Sequence, residues 1–284
     1  MIMKELCRKI DLQLEMTEKV LACHENFKYE SVRPYLEKLY NRQTWEEGVK
    51  SLDKNFGEDP AGIKMLTCML ACALNIHETY EEKGIPEEIF IETMKFFSRF
   101  IGEHFVTYGT YSFVLGWWAP RLISANEFRI GELEYEIVDE NGIKSIQIHI
   151  PADAVMKQSK LRQSYLNARQ FLTHYYPEYA DADMLCGSWL LSPALNELLP
   201  EDSNILTFQK SFEVDYVDYE SNGFLRWVYK KEDIPWEQLP EDTTLQRRMK
   251  AYILNNGKIG WAFGKLISDP FYGDKSFEAR KTVK

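Results

Sequence analysis

With 284 residues, 45% of them hydrophobic and 27% charged, the chain can bury the core of one large domain or two ordinary ones, and wholesale disorder is excluded. A formal net charge of −10 argues against general affinity for nucleic acid or an anionic membrane. The five cysteines (Cys7, Cys23, Cys68, Cys72, Cys186) are odd in number and lack zinc-type spacing, which points to free thiols. His24, His77, His104 and His174 sit in helical contexts without ligand partners, so no metal is expected, and without a leader or a membrane span the cytoplasm is the expected setting.

The opening turns carry Lys4, Glu5, Arg8 and Lys9, unlike a leader peptide, and no stretch is apolar for the length of a membrane span. Residues 4–24 place Leu6, Ile10, Leu14 and Leu21 at near-helical intervals. From Pro60 to Tyr80, Met65, Leu66, Met69, Leu70, Ala73 and Leu74 form one stripe, with Cys68 and Cys72 a turn apart inside it as buried thiols. Gly84 and Pro86 then punctuate, and a helix over 86–101 follows, burying Ile89, Met94, Phe97 and Ile101. The apolar stretch YSFVLGWWAPRLI closes a half of about five helices and no strand.

At Phe128 the period changes from 3.6 to 2. FRIGELEYEIVDENGIKSIQIHIP reads as two alternating runs joined at Asn141-Gly142, a strong hairpin signal, with a β-bulge at Gly131 where the apolar parity switches. Ile146, Ile148 and Ile150 share one face of the second strand, leaving His149 on the other at the strand end. A helix over about 157–175, a strand LCGSWLL and a short helix begun by Ser192-Pro193 come next. Strands over 211–217 and 224–230 are expected to form a hairpin around Ser221-Asn222-Gly223. A Thr-capped final helix ends at Gly257, and the tail after Ser268 is expected to be loosely held.

The order strand, strand, helix, strand, helix, strand, strand is that of the GNAT fold. The strings FRIGELEYE, IHIP, SWLLSPALNELLPEDSNILTFQKSF and LPEDTTLQRRM resemble a bacterial acyltransferase-domain family with an N-acyltransferase N-terminal domain and a GNAT-like C-terminal domain. GIPEEIFIETM followed by Trp117 and Trp118 fits the same pattern, so the resemblance covers nearly the whole chain. It implies an α+β class: a helical N-terminal half, residues 1–125, followed by a GNAT-like mixed α/β sheet, residues 126–284. Two central strands would splay to admit the thioester of acetyl-CoA or another acyl-CoA. The next helix would point its N-terminus at the pyrophosphate. The acceptor would be a small-molecule or peptide amine.

The sequence departs from that family where pyrophosphate should bind. HIPADAVMKQSKLRQS holds no glycine, Asp153 would repel phosphate, and backbone approach is hindered. Lys157, Lys160, Arg162 and Arg169 offset this without an intervening acid, either as a phosphate site or as a solvated helix face. His149 is the candidate general base, since imidazole titrates near neutrality, or else a structural cap. Glu134, on the polar parity of the preceding strand, is a second base, an orienter of His149, or a surface carboxylate. Arg129 flanks the bulge and could meet substrate. Ser188 and Trp189 begin the second splayed strand, as cofactor contacts or packing. Tyr216 or Tyr219 could protonate a leaving thiolate or simply pack. Two other function classes stay open: a non-catalytic GNAT-like ligand-binding module, and a scaffold that assembles through its helical half.

Overall fold

The computed structural model describes residues 1–231 and 234–267. The chain packs as two units, Met1–Ile130 with Glu134–Ile137, and Gly131–Leu133 with the described residues from Val138 onward. Among the described residues no helix is long and apolar enough to cross a membrane.

The first unit is helical: α1 (Met3–Lys9), α2 (Leu14–Asn26), α3 (Arg33–Lys38), α4 (Trp45–Phe56), α5 (Ile63–Lys83), α6 (Glu87–Met94), α7 (Phe96–Tyr108) and α8 (Pro120–Ile123). More breaks occur than the apolar spacing foretells. Asp11, at φ 54, divides the first expected helix, and Lys95 divides the helix expected over 86–101. The helix α5 is the core element, and its start is capped from outside. The Asp59 carboxylate accepts the Lys64 and Met65 N–H groups at 3.2 and 3.0 Å. Its end is a Schellman turn: Gly84 takes φ 69, its N–H donates to Glu81, and the Ile85 N–H donates to Tyr80. Tyr80 and Phe90 are buried with ring centroids 5.2 Å apart, and Phe128 of β1 (Glu127–Ile130) lies 5.8 Å from Tyr80. Burying one such ring stabilises by about 1.5–3 kcal/mol.

The remaining elements are β2 (Leu133–Glu140), β3 (Ile143–His149), α9 (Gln158–Tyr175), β4 (Asp183–Ser188), α10 (Leu195–Leu198), α11 (Asn204–Gln209), β5 (Phe212–Asp218), α12 (Phe224–Val228), α13 (Thr244–Leu254) and β6 (Trp261–Leu266). The strands form a mixed six-stranded sheet in the order β1-β2-β3-β4-β6-β5. The helix α9 is the crossover that a parallel β3–β4 pair requires. The last strand, β6, inserts antiparallel between β4 and β5, with a bulge between Val214 and Tyr216.

Three local expectations are corrected. Gly131 is not a bulge: it takes φ 65 in a two-residue turn that ends β1 and starts β2. The expected partner of β5 over 224–230 is helical, because Phe224 and Leu225 turn into a cluster with Leu195, Leu198, Leu239 and Met249. The true partner is β6, which the sequence reading left unassigned. Asn256, at φ 64, takes the left-handed position after α13 that Gly257 was expected to fill. The Thr cap of α13 is present as a full capping box with Gln246. The tail after Ser268 lies outside the described residues.

Candidate functional site

β3 and β4 are parallel, so their carboxyl ends lie at one edge of the sheet, where α/β folds place ligands. Their pairing runs from Ser145↔Asp183 through Ile146↔Met184 to Gln147↔Leu185 and goes no further. Yet β3 continues to His149 and β4 to Ser188. On its other side β4 stays paired with β6, from Leu185↔Lys265 to Ser188↔Ala262. Two strands that run on without sharing bonds leave backbone donors and acceptors on facing edges, and such groups require a partner.

Side chains at this opening follow from strand alternation. Ile146 and Ile148 are buried, and His149, on the opposite face, is half-buried at the strand end. Ser188 is buried, and its Oγ accepts the Leu190 N–H at 3.1 Å, capping the turn that follows β4. Trp189 is not on the strand. It opens that turn and packs against the apolar cluster of Ala194, Leu195 and Leu198.

The segment 150–157 leads from β3 into α9, whose N-cap residue is the exposed Lys157. The three lysine and arginine residues within the helix serve different ends. Arg169 donates to the carbonyls of Ala180 and Ala182 at 2.7 and 2.9 Å, fixing the approach to β4. Arg162 and Lys210 stand at a cleft of about 220 Å³ that Gln158, Leu161 and Tyr165 also line. Lys160 pairs with Glu132 at 3.7 Å, and the other oxygen of Glu132 accepts the Val155 N–H at 2.9 Å. The basic stretch itself holds no acid, as its sequence shows, and the acid that meets it comes from the Gly131–Glu132 turn, earlier in the chain.

Tyr216 lies on β5, 57% exposed, and stacks on Phe263 with centroids 4.7 Å apart. Phe263 in turn pairs with Gly187, next to the end of β4, and its ring covers the place a side chain there would occupy. The row Gly187–Phe263–Tyr216 therefore carries an aromatic shelf across the sheet from the opening.

Arg129 and Glu134 belong to the first unit. Arg129 is buried on β1, and its backbone N–H donates to Thr93 Oγ1 at 2.9 Å. Glu134 is not a surface carboxylate: it is buried and ion-paired with Arg99, the two side chains 5% and 10% exposed. Its neighbours Glu127 and Glu136 are buried as well. Arg42 and Arg121 both bind Glu136, and the Trp118 indole donates to Glu127 at 3.2 Å. Sequence reading missed this network because alternation in EFRI and LEYEIVDE implies one wet face, whereas both faces are covered from Glu127 to Val138 apart from the turn.

Residues 1–125 match the model of the N-acyltransferase N-terminal domain, and residues 127–266 match the GNAT-like C-terminal domain. The chain therefore carries an N-acyltransferase N-terminal domain followed by a GNAT-like C-terminal domain. Comparison with curated proteins gives no match. Among solved structures, this N-acyltransferase-type chain is similar to an acyltransferase in complex with decanoyl-CoA and teicoplanin, at 20% identity and TM-score 0.74, over 92% of this chain and 86% of that one. A complex with decanoyl-CoA alone gives 21% identity and TM-score 0.73 over the same shares. A complex with CoA and 10C-teicoplanin gives 20% and 0.74, again over 92% and 86%. At these identities the likeness is one of fold.

Proposed function

We propose that the protein is an acyl-CoA-dependent N-acyltransferase acting on a small-molecule or peptide amine. The observation that carries this is the parting of β3 and β4 after Gln147↔Leu185 in a GNAT-like domain. The facing strand edges offer a thioester a place to lie, and a backbone N–H directed into that opening can stabilise the oxyanion formed when an amine attacks its carbonyl. A C–N bond forms, the C–S bond breaks, and CoA leaves as the thiolate that must then be protonated. His149, at the end of β3, takes the proton that the amine loses as it attacks, and that proton can pass on to the leaving thiolate. The start of α9, with Lys157, Lys160 and Arg162, faces the pyrophosphate, and Ser188 closes the β4 side. Tyr216 offers the acceptor an aromatic surface. Trp189, packed in the core cluster, has no part in this scheme, and Glu134 is already engaged by Arg99.

Calorimetry with CoA, acetyl-CoA and decanoyl-CoA tests the donor, and release of CoA thiol in the presence of amine libraries tests transfer. Longer donors belong in the first trial because the similar solved acyltransferase was crystallised with decanoyl-CoA. His149→Ala should retain donor binding and lose transfer by about 10²-fold or more. A second reading, a binding module without catalysis, is favoured by the absence of glycine from residue 149 to 164. Donor binding without turnover over a broad amine set would select it.

A further inference from the structure

We infer that Glu132 is a specificity-determining residue for the donor, a carboxylate that holds the diphosphate-binding groups until acyl-CoA displaces it. The inference rests on the acyl-CoA reading above. Its starting point is Gly131. At φ 65 it lets the chain reverse, and it sits so close to α9 that an added Cβ would lie 3.2 Å from Ser164 Cβ. Only a residue without a side chain brings the turn this near the helix. The next residue, Glu132, therefore reaches the segment before α9. One oxygen accepts the Val155 N–H at 2.9 Å, and the other lies 3.7 Å from Lys160 Nζ. The Glu132 side chain is only 15% exposed, so little water screens it.

A backbone N–H together with an ammonium at a helix start is the donor set that phosphate oxygens take. Here a carboxylate of the same chain uses it. The diphosphate of acyl-CoA cannot accept from Val155 and pair with Lys160 while Glu132 does both, and the two anions repel at contact distance. Glu132 must rotate away, so the donor pays for that displacement in affinity. Glu132 also keeps the Val155 amide and Lys160 aimed at a common point, which recovers part, but not all, of that loss in a segment without glycine.

The test uses the full chain and measures CoA and an acyl-pantetheine, which lacks every phosphate, by calorimetry. Glu132→Gln keeps an acceptor for the Val155 N–H and removes the charge, and Glu132→Ala removes both. Each should bind CoA about tenfold more tightly, which is about 1.4 kcal/mol, and leave acyl-pantetheine unchanged. Lys160→Ala should weaken CoA binding about threefold more in the Glu132→Gln background than in the parent, because in the parent the ammonium gives up the Glu132 carboxylate to meet phosphate and in the variant it gives up no charge. CoA affinity that is unchanged or reduced in both variants overturns the role of Glu132 and leaves the acyl-CoA reading standing. If neither parent nor variants bind CoA, the acyl-CoA reading fails and the role of Glu132 with it.

Discussion

Two glycines with left-handed backbone allow the packing of the Gly131 turn on α9 to be weighed. Gly131 (φ 65) and Gly142 (φ 84) each lie in a turn between consecutive strands, and both fall in the second unit. A Cβ added at Gly142 meets nothing within 4 Å, whereas at Gly131 it meets Ser164 Cβ, Cα and Oγ at 3.2–3.3 Å. Replacement by Ala costs about 1–2 kcal/mol at either site for placing an L-residue in the left-handed region. At Gly131 the helix must also yield by a few tenths of an ångström, and overpacking of that kind adds about 1–3 kcal/mol. Gly131→Ala should therefore destabilise by about 2–5 kcal/mol and Gly142→Ala by about 1–2 kcal/mol. Urea unfolding followed by circular dichroism on both variants reads the difference, in which the shared backbone term cancels. Equal losses would show that the turn is not seated on α9 and would remove the geometric basis for the reach of Glu132.

Arg99→Leu should cost about 3–5 kcal/mol by stranding Glu134, whereas the double change Arg99→Leu, Glu134→Leu should recover most of that; a denaturation midpoint as low in the double variant as in the single one would contradict a buried pair. Replacing Lys160 and Arg162 together with Ala should weaken CoA binding more than any single change in residues 150–157, and less so at high salt, as calorimetry at two ionic strengths would reveal. All five cysteines are free, and Cys23 is the most accessible of them, so mild alkylation followed by mass analysis should mark Cys23 well before Cys7, Cys68, Cys72 or Cys186. Burial pushes the thiols of Cys7 and Cys72 up to about 11 and that of Cys186 to about 12, from an ordinary value near 9. Above pH ~9 the unfolded chain releases these protons while the folded chain keeps them, so the stabilisation is complete below that pH. It is lost as pH rises through the folded values, by about 1.4 kcal/mol per pH unit for each thiol. Urea midpoints from pH 8 to 10.5 that fall no faster in the parent than in Cys186→Val would refute the contribution of Cys186.

Much of the fold was legible because its signals are local. The stripe of α5 and the Gly84 stop need only helical period and a left-handed residue. Thr243 and Ser203 cap the helices they precede, as their side-chain chemistry prescribes. What escaped depends on distant partners. Residues 224–230 are rich in aromatic and β-branched side chains and follow a turn, which suits a strand, but the cluster that Phe224 and Leu225 join decides for a helix. Trp261–Leu266 reads as a strand only once β4 and β5 leave a vacant edge between them. For the site, the sequence pointed to the strand end at His149 and the basic start of α9, and the structure sets those two features in succession at the carboxyl edge of the sheet. It could not show that Glu134 meets Arg99, or that Glu132 meets Lys160, because each pair is closed by a turn or a helix far away in the chain.

The missing glycines and the added acid are two parts of one arrangement. A glycine-rich loop binds diphosphate with several amides that contact the ligand directly, and such amides are little affected by salt. In this chain Asp153 and Val155 carry side chains where close approach is needed, so on the proposed acyl-CoA reading fewer amides would reach the ligand and Lys157, Lys160 and Arg162 would carry more of the attraction. Of these, Lys160, 61% exposed and on a flexible stem, would spread over many rotamers unless something held it. Glu132, fixed by the Gly131 turn against α9, supplies that restraint at the cost of competing with the ligand. In a chain that would bind its donor through long side chains, such a restraint recovers part of that loss, whereas a rigid amide cradle would only lose affinity to it. The acid and the absent glycines are thus each explained by the other.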